Sequence, residues 1–266
     1  MAVPEESEAE RHGRDLRRIP SPKPFARTPA PRNPAPRNPA PRRRTGLRRA
    51  ATLITLAPIA ILAFTLTLAL VYSVATPPST LMLGRWLTLQ GAQRDSVKLE
   101  AIAPALVQAV MASEDQRFCL HNGVDWGALR DVVDDEEGPS RGASTITMQT
   151  VKNVLLWPGR SYIRKGLEIP LAVMADAVWG KRRTMEIYLN VAEWGEGIFG
   201  AEAAARHWFR KSARDLNRNE AALLAAVLPN PILRSAGKPT RGVRAIAGRI
   251  QSRMGQVNGL MECLKR

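Results

Sequence analysis

The run Ala50–Ala75, AATLITLAPIAILAFTLTLALVYSVA, carries no charged residue over 26 positions. As a helix it spans about 39 Å, more than a ~30 Å hydrocarbon core requires even with tilt. Pro58 introduces a bend that membrane helices tolerate. The run starts too late and is too long for a cleaved leader. Its flanks predict its orientation. Residues 30–49 hold seven Lys/Arg, including Arg42, Arg43, Arg44, Arg48 and Arg49, whereas residues 76–95 hold only Arg85 and Arg94. The positive flank stays in the cytoplasm. The sequence therefore predicts a single-pass anchor at 50–75, a cytoplasmic segment 1–49 and an extracytoplasmic domain over 80–266.

The 266 residues carry 39 Lys/Arg against 24 Asp/Glu, a net charge of +15, of which the first 49 residues contribute +8. That N-terminal segment is rich in Pro, Arg and Ala and repeats PAPRN-PAPRN-PAPRR over residues 29–43. It has too little apolar surface to offset its ordering entropy, so it reads as an extended, solvated tail. A proline-motif ligand is the alternative. A basic chain can bind nucleic acid, but it can equally meet an anionic membrane or a phosphate-bearing substrate. Topology and the lack of a base-reading motif argue against nucleic acid.

The exported part reads as mainly α. Glu100–Ala112 places Ile102, Leu106, Ala109 and Ala112 at helical spacing, with Pro104 acceptable in a first turn. Helical patterns follow over 161–180 and 181–193, with Pro170 inside the first. Another runs over Glu220–Leu228, capped by Asn217 or Asn219, and a last over 240–258. No stretch shows sustained strand alternation. The two cysteines, Cys119 and Cys263, form neither a metal pattern nor a disulfide framework. Cys119 reads as a free, packed thiol, and pairing with Cys263 outside the cytoplasm is the alternative.

Two stretches carry the chemistry. Ser113–Trp126, SEDQRFCLHNGVDW, follows directly on the first of these helices, so Glu114 and Asp115 sit at its C-terminal end. There the helix dipole disfavours a carboxylate, which raises its pKa towards what a general base needs. Acids punctuating a surface helix end are the plain alternative. Downstream, RGASTITMQTVKN (141–153) is a turn able to cap a helix bearing Gln149, Lys152 and Asn153, and it lacks the P-loop spacing. Lys152, Arg160, Arg164 and Lys165 then meet only Glu168 as a nearby acid. Four cations with one carboxylate suit a polyanion such as a diphosphate. Arg164 and Glu168 are spaced to pair, though with the cation N-terminal, the poorer orientation.

In order, EDQRFxxHxGxDW, GASTITMQxxKN, RSYxRKxxE, KRRTMEIYLNxxEWGxGxFGxExAAxxWF and EAALLAAVLPNP resemble the peptidoglycan glycosyltransferases that polymerise lipid II, glycosyltransferase family 51. The last motif resembles the single-function, membrane-anchored branch. The resemblance covers about residues 95–235. It implies a lysozyme-like α-helical domain behind one transmembrane helix, resting on the periplasmic face of the cytoplasmic (inner) membrane. It also implies joining of disaccharide-peptide units through a β-1,4 bond with release of undecaprenyl diphosphate. Glu114 matches the family's catalytic base. Glu168 matches its second essential acid, which orients a partner or holds a metal ion; a divalent cation, Mg2+ or Mn2+, is the cofactor to consider. Lys152, Arg160, Arg164 and Lys165 fall at or near diphosphate-binding positions, and Ser144, Thr145, Gln149 and Asn153 at substrate-lining ones. Asp115, Phe118 and His121 read as supports of the loop that carries Glu114, and Glu186 as structural. The implied partners are lipid II, the growing glycan, the membrane and other cell-wall synthesis or division proteins. Met148-Gln149 replaces the Gln-Gln of many relatives, Thr184-Met185 replaces Ile-Leu, and Pro170 follows Glu168 without a family counterpart.

Ser235-Ala236-Gly237-Lys238 matches the SxxK of a penicillin-binding serine, but only 28 residues follow it and no SDN or KTG string is present. A second, crosslinking activity is therefore not expected. Two rival readings remain. A lysozyme-type or lytic glycan-cleaving enzyme would have no use for a diphosphate cluster. A non-catalytic membrane scaffold would not need Glu114.

Overall fold

The computed structural model describes residues 43–134, 142–159 and 161–265. Most of the tail read over 1–49, and Arg160, lie outside the described residues. The chain divides into two units, Met1–Ala50 and Ala51–Arg266. Helix α1, Arg43–Val74, begins earlier than expected, in the basic flank, and passes through Pro58. Its segment Ile54–Val74 is long and apolar enough to cross a membrane, with a mean hydropathy of 2.4.

The unit from Ala51 onward is mainly α, as the sequence implies. After α1 come α2 (Thr80–Leu87), α3 (Pro104–Glu114), α4 (Trp126–Asp134), α5 (Ile146–Leu155), α6 (Tyr162–Val191), α7 (Ala201–Phe209), α8 (Arg218–Val227) and α9 (Arg241–Val257). Local rules explain the ends. Pro104 opens α3 at a position where its missing N–H is not needed. Asn217 and Glu220 complete a capping box at the start of α8. The patterns read over 161–180 and 181–193 form one element, α6, which contains Pro170 and leaves helical geometry at Gly180, with φ 65° and ψ 175°.

Two apolar cores hold these helices. In the first, Leu106 and Met111 of α3 pack with Leu224 of α8 and with Ile250 and Met254 of α9. The alanines of α8 let its neighbours approach closely, and each fully buried Leu contributes about 1.5–3 kcal/mol. The second core joins Met148, Val151 and Val154 of α5 to Ala172, Ala175 and Trp179 of α6. It also receives Ala69 near the end of α1 and Met82 of α2. The α1 end is bonded as well as packed. Trp179 Nε1 donates to the Ala69 carbonyl at 2.7 Å, and Arg183 Nε to the Tyr72 carbonyl at 2.9 Å.

A small sheet was not expected. Strands β1 (Gln93–Arg94), β2 (Glu193–Gly195) and β3 (Ile198–Phe199) lie in the order β1-β3-β2. β3 pairs parallel to β1 and antiparallel to β2. Strands of two or three residues are too short to show alternation. The β2–β3 turn requires Gly197, which has φ 70° and where a Cβ would lie 2.7 Å from the Gly91 carbonyl oxygen.

The cysteines also differ from the main expectation. Cys119 and Cys263 form a disulfide, with Cα atoms 5.6 Å apart. Their separation of 144 residues hid the pairing, because α9 must first pack beside α3 to bring the C-terminal segment to Cys119.

Candidate active site

Glu114 is the last residue of α3, and Asp115 caps that helix in a non-helical conformation. The pair diverges. Asp115 turns inward, its carboxylate meeting His121 Nε2 at 3.0 Å and accepting from the Ile146 backbone N–H at 3.0 Å. That second bond draws the N-terminus of α5 against the end of α3. Phe118 is fully buried beneath, 6.3 Å from the His121 ring in an edge-on arrangement and covered by the Lys181 ammonium at 4.8 Å. These three residues brace the loop.

The α5 N-terminus is fixed a second time. Thr145 caps it by accepting from Met148 N–H at 3.1 Å, and its hydroxyl donates to the Gly123 carbonyl at 2.6 Å. Gly123 has φ 83°, and a Cβ there would sit 2.4 Å from the Ala172 carbonyl oxygen, so HNGVDW needs its glycine. With its hydroxyl so committed, Thr145 acts as a cap. Met148 points into the core, fully buried. Its neighbour Gln149 points the other way, and Nε2 donates to Glu114 Oε2 at 2.9 Å. Asn153 lies one turn further along α5, where its backbone carbonyl accepts from Thr80 at 3.3 Å.

Glu114 opens on a cleft of about 780 Å³ whose walls include Ser144, Arg117 and Asp125. Burial pushes the Glu114 carboxyl above the usual glutamate range. Hydrogen bonds from Gln149 and Ser113 and the charge of Lys152 oppose that rise. Enclosure, rather than the helix terminus invoked from sequence, is the main cause.

Beyond Glu114 lies the cation cluster. Glu168, 2% exposed, is clasped by Arg164 through Oε1 and by Lys165 through Oε2 at 2.9 Å. The i,i+4 pair therefore forms despite its orientation. Lys165 Nζ also donates to Ser144 Oγ at 2.6 Å, which ties the cluster to the cleft wall. Lys152 interacts electrostatically with both Glu168 and Glu114. Its ammonium is held below the ordinary lysine range, first by burial; Glu168 opposes that shift and Arg164 adds to it. Pro170 lies inside α6 without separating Glu168 from its partners.

Two contributors escaped the sequence reading. Tyr188, fully buried, donates from its hydroxyl to Gln149 Oε1 at 3.1 Å and so fixes the amide that faces Glu114. Its place in MEIYLN was the available signal. Ser252, Arg253 and Gln256 of α9 also line the cleft, although that helix read only as amphipathic. Glu186 is structural, as expected: it accepts from Leu99 N–H at 3.0 Å and pairs with Arg183.

Comparisons with known proteins agree with this geometry. A family model described as Transglycosylase matches residues 82–257, a wider span than 95–235 and one that includes α9. A biosynthetic peptidoglycan transglycosylase of Rhizobium meliloti (strain 1021) is 58% identical over 190 residues, 71% of this chain and 80% of that protein. One of Brucella suis biovar 1 (strain 1330) is 54% identical over 222 residues, 83% of this chain and 99% of that protein. A third, from Nitrobacter hamburgensis, is 51% identical over 205 residues, 76% of this chain and 91% of that protein. The chain belongs to the transglycosylase family of peptidoglycan glycosyltransferases, and its helical domain has that family's lysozyme-like fold.

Proposed function

We propose that the protein polymerises peptidoglycan glycan strands from lipid II. Glu114 acts as the general base on the incoming sugar 4-hydroxyl, while Lys152, Arg164 and Lys165 receive the departing diphosphate. One observation carries the reading. An enclosed carboxyl with a raised pKa faces a lysine that also feels a second, doubly clasped carboxylate. The base and the anion site are thus adjacent but distinct.

The chemistry follows. Glu114 takes the hydroxyl proton as the oxygen attacks the anomeric carbon, and the diphosphate leaves from the opposite face, giving inversion to a β-1,4 bond. Charge developing on the leaving oxygen is met by fixed cations in an enclosed site. Glu168 holds Arg164 and Lys165 in place; it positions the cations. Ser144 anchors Lys165, Gln149 orients Glu114, and Asn153 lines the α5 side. Arg160 extends the set by its place in the sequence.

A protein-held divalent cation does not fit. Both oxygens of Glu168 are engaged by Arg164 and Lys165, and no group of three His, Cys, Asp or Glu side chains gathers among the described residues. No step is routed through a metal.

For topology, Ile54–Val74 is the anchor, residues 1–49 are cytoplasmic, and the domain from residue 80 works on the periplasmic side of the inner membrane. The Cys119–Cys263 disulfide supports this, because such bonds persist in oxidising compartments. Division or elongation proteins are the natural further partners.

The test uses the detergent-solubilised full chain with labelled lipid II, comparing it with Glu114→Gln and resolving products on a gel. The intact chain is expected to make long, lysozyme-sensitive glycan and the variant none. A variant that polymerises like its parent overturns the role of Glu114. Shortening of preformed glycan by the intact chain would favour the cleaving enzyme instead.

A further inference from the structure

We infer that Arg253 of α9 binds a carboxylate on the peptide attached to the substrate sugar, and so selects substrates by the charge of that peptide. The inference rests on the polymerase reading of the same cleft.

The lining of the Glu114 cleft comes from separate parts of the chain. Ser144 leads through Lys165 to the Glu168 cluster. Helix α9 contributes Ser252, Arg253 and Gln256. The helix cannot turn that stripe elsewhere. Val243, Ala247, Ile250, Met254 and Val257 are buried against α3 and α8 on its opposite face. Gln108 bonds Asn258 at 3.2 Å, and Gln251 bonds Asn219 at 3.0 Å. The disulfide then ties the segment after α9 to the turn that follows Glu114. The distance between Arg253 and the base is therefore set by the fold.

The charges of the cleft are accounted for, with one exception. Asp115 is spent on His121 and the Ile146 N–H. Asp125 caps α4 through Ala128 N–H at 3.1 Å and pairs with Arg117 at 3.5 Å. No acid among the described residues pairs with Arg253. Arg249, exposed one turn earlier on α9, is not among the residues lining the cleft.

A disaccharide-peptide bound beside Glu114 has neutral sugar hydroxyls and two kinds of anion, its diphosphate and its peptide carboxylates. The diphosphate belongs with Lys152, Arg164 and Lys165. The peptide branches from the sugar, and the α9 wall offers a guanidinium whose fork matches a carboxylate. Gln256, one turn from Arg253, can bond the peptide amides.

The test compares two forms of labelled lipid II, one with free peptide carboxylates and one with those carboxylates converted to amides. Both are assayed with the intact chain and with Arg253→Gln. For the intact chain, KM should rise about five-fold on amidation, as expected for one charge-assisted contact in a solvent-facing cleft. Arg253→Gln should raise KM for the acidic form by a similar factor and abolish the discrimination, with kcat little altered. Since Arg253 is exposed, its replacement should leave the melting temperature unchanged. The inference is overturned if Arg253→Gln still discriminates. It is also overturned if KM rises equally for both forms, which would point to a second diphosphate. No polymer from the intact chain with either substrate would sink the polymerase reading, and this inference with it.

Discussion

Gln149 Nε2 lies 2.9 Å from Glu114 Oε2, and the Gln149 carbonyl oxygen is held at 3.1 Å by the Tyr188 hydroxyl. With the buried phenol donating to the amide oxygen, the amide turns its NH2 end to the carboxylate. That donating end favours the ionised form of Glu114. Gln149, held by Tyr188, thus joins Ser113 and Lys152 in moderating the rise that enclosure imposes on Glu114.

Gln149→Ala should remove that moderation. The acidic limb of the pH–rate profile, where Glu114 loses its charge, moves to higher pH, and kcat at neutral pH falls about ten-fold. Tyr188→Phe leaves the amide free to flip. It should cost about 1 kcal/mol of stability and shift the limb in the same direction by less. Initial rates across a pH series distinguish the two.

Glu114→Gln should lower kcat by about 10²–10⁴-fold. Its effect on stability has the opposite sign. The folded carboxyl has its pKa raised above the unfolded value, so the folded state binds the proton more tightly. Ionised Glu114 therefore costs stability as pH rises through the folded pKa. The variant should melt higher than its parent at neutral pH, and the difference should vanish below the unfolded pKa. Thermal melts at both pH values give the readout.

Lys152 sets the other limb. Its pKa is depressed, so its charge is lost below the pH at which an ordinary lysine would titrate. Activity should fall as pH rises through that value. Lys152→Arg keeps the charge at any accessible pH and should move the basic limb upward. Lys152→Ala should lower kcat about 100-fold or more near neutrality, if the proposed diphosphate site loses one of its three cations.

Asp115→Ala leaves the Ile146 N–H and the His121 ring without their partner. A loss of about 2–4 kcal/mol is expected, together with a fall in kcat, because α5 carries Gln149 and Lys152. Asp115→Asn retains an acceptor and should lose less. Chemical denaturation beside initial rates checks both.

Cys263→Ser should destabilise the domain by about 2–4 kcal/mol, and the intact chain treated with reductant should match it. Thiol counting by mass spectrometry under denaturing conditions should find none free in protein recovered from the envelope.

Much of this was legible in the residues, and the reasons are physical. An uncharged run and helical periodicity are local signals, so the apolar helix α1 and the helices α3, α8 and α9 could be read directly. Glu114, Lys152 and Glu168 stood out because charge near an apolar helix requires an account. What escaped was long-range. The disulfide depends on two helices packing side by side, and the α9 wall on which stripe remains after the core is satisfied. Strands as short as β1 and β3 carry no period to detect. Thr145 lines the cleft, as its place in the motif suggested, but that its hydroxyl also starts a helix and holds the Gly123 carbonyl could not be read from the pattern.

The tie between α1 and α6 has a geometric consequence. Trp179, just before the break at Gly180, and Arg183, just after it, bond to the last turns of the apolar helix, while Arg164 stands near the start of α6, about 22 Å from Trp179 at ~1.5 Å per residue. The part of α6 before the break thus acts as a ruler, setting how far the Arg164–Glu168 cluster stands from the end of the apolar helix. Under the proposed function, a substrate carried on a lipid of fixed headgroup height would meet those cations by diffusing in two dimensions, with no search along the third.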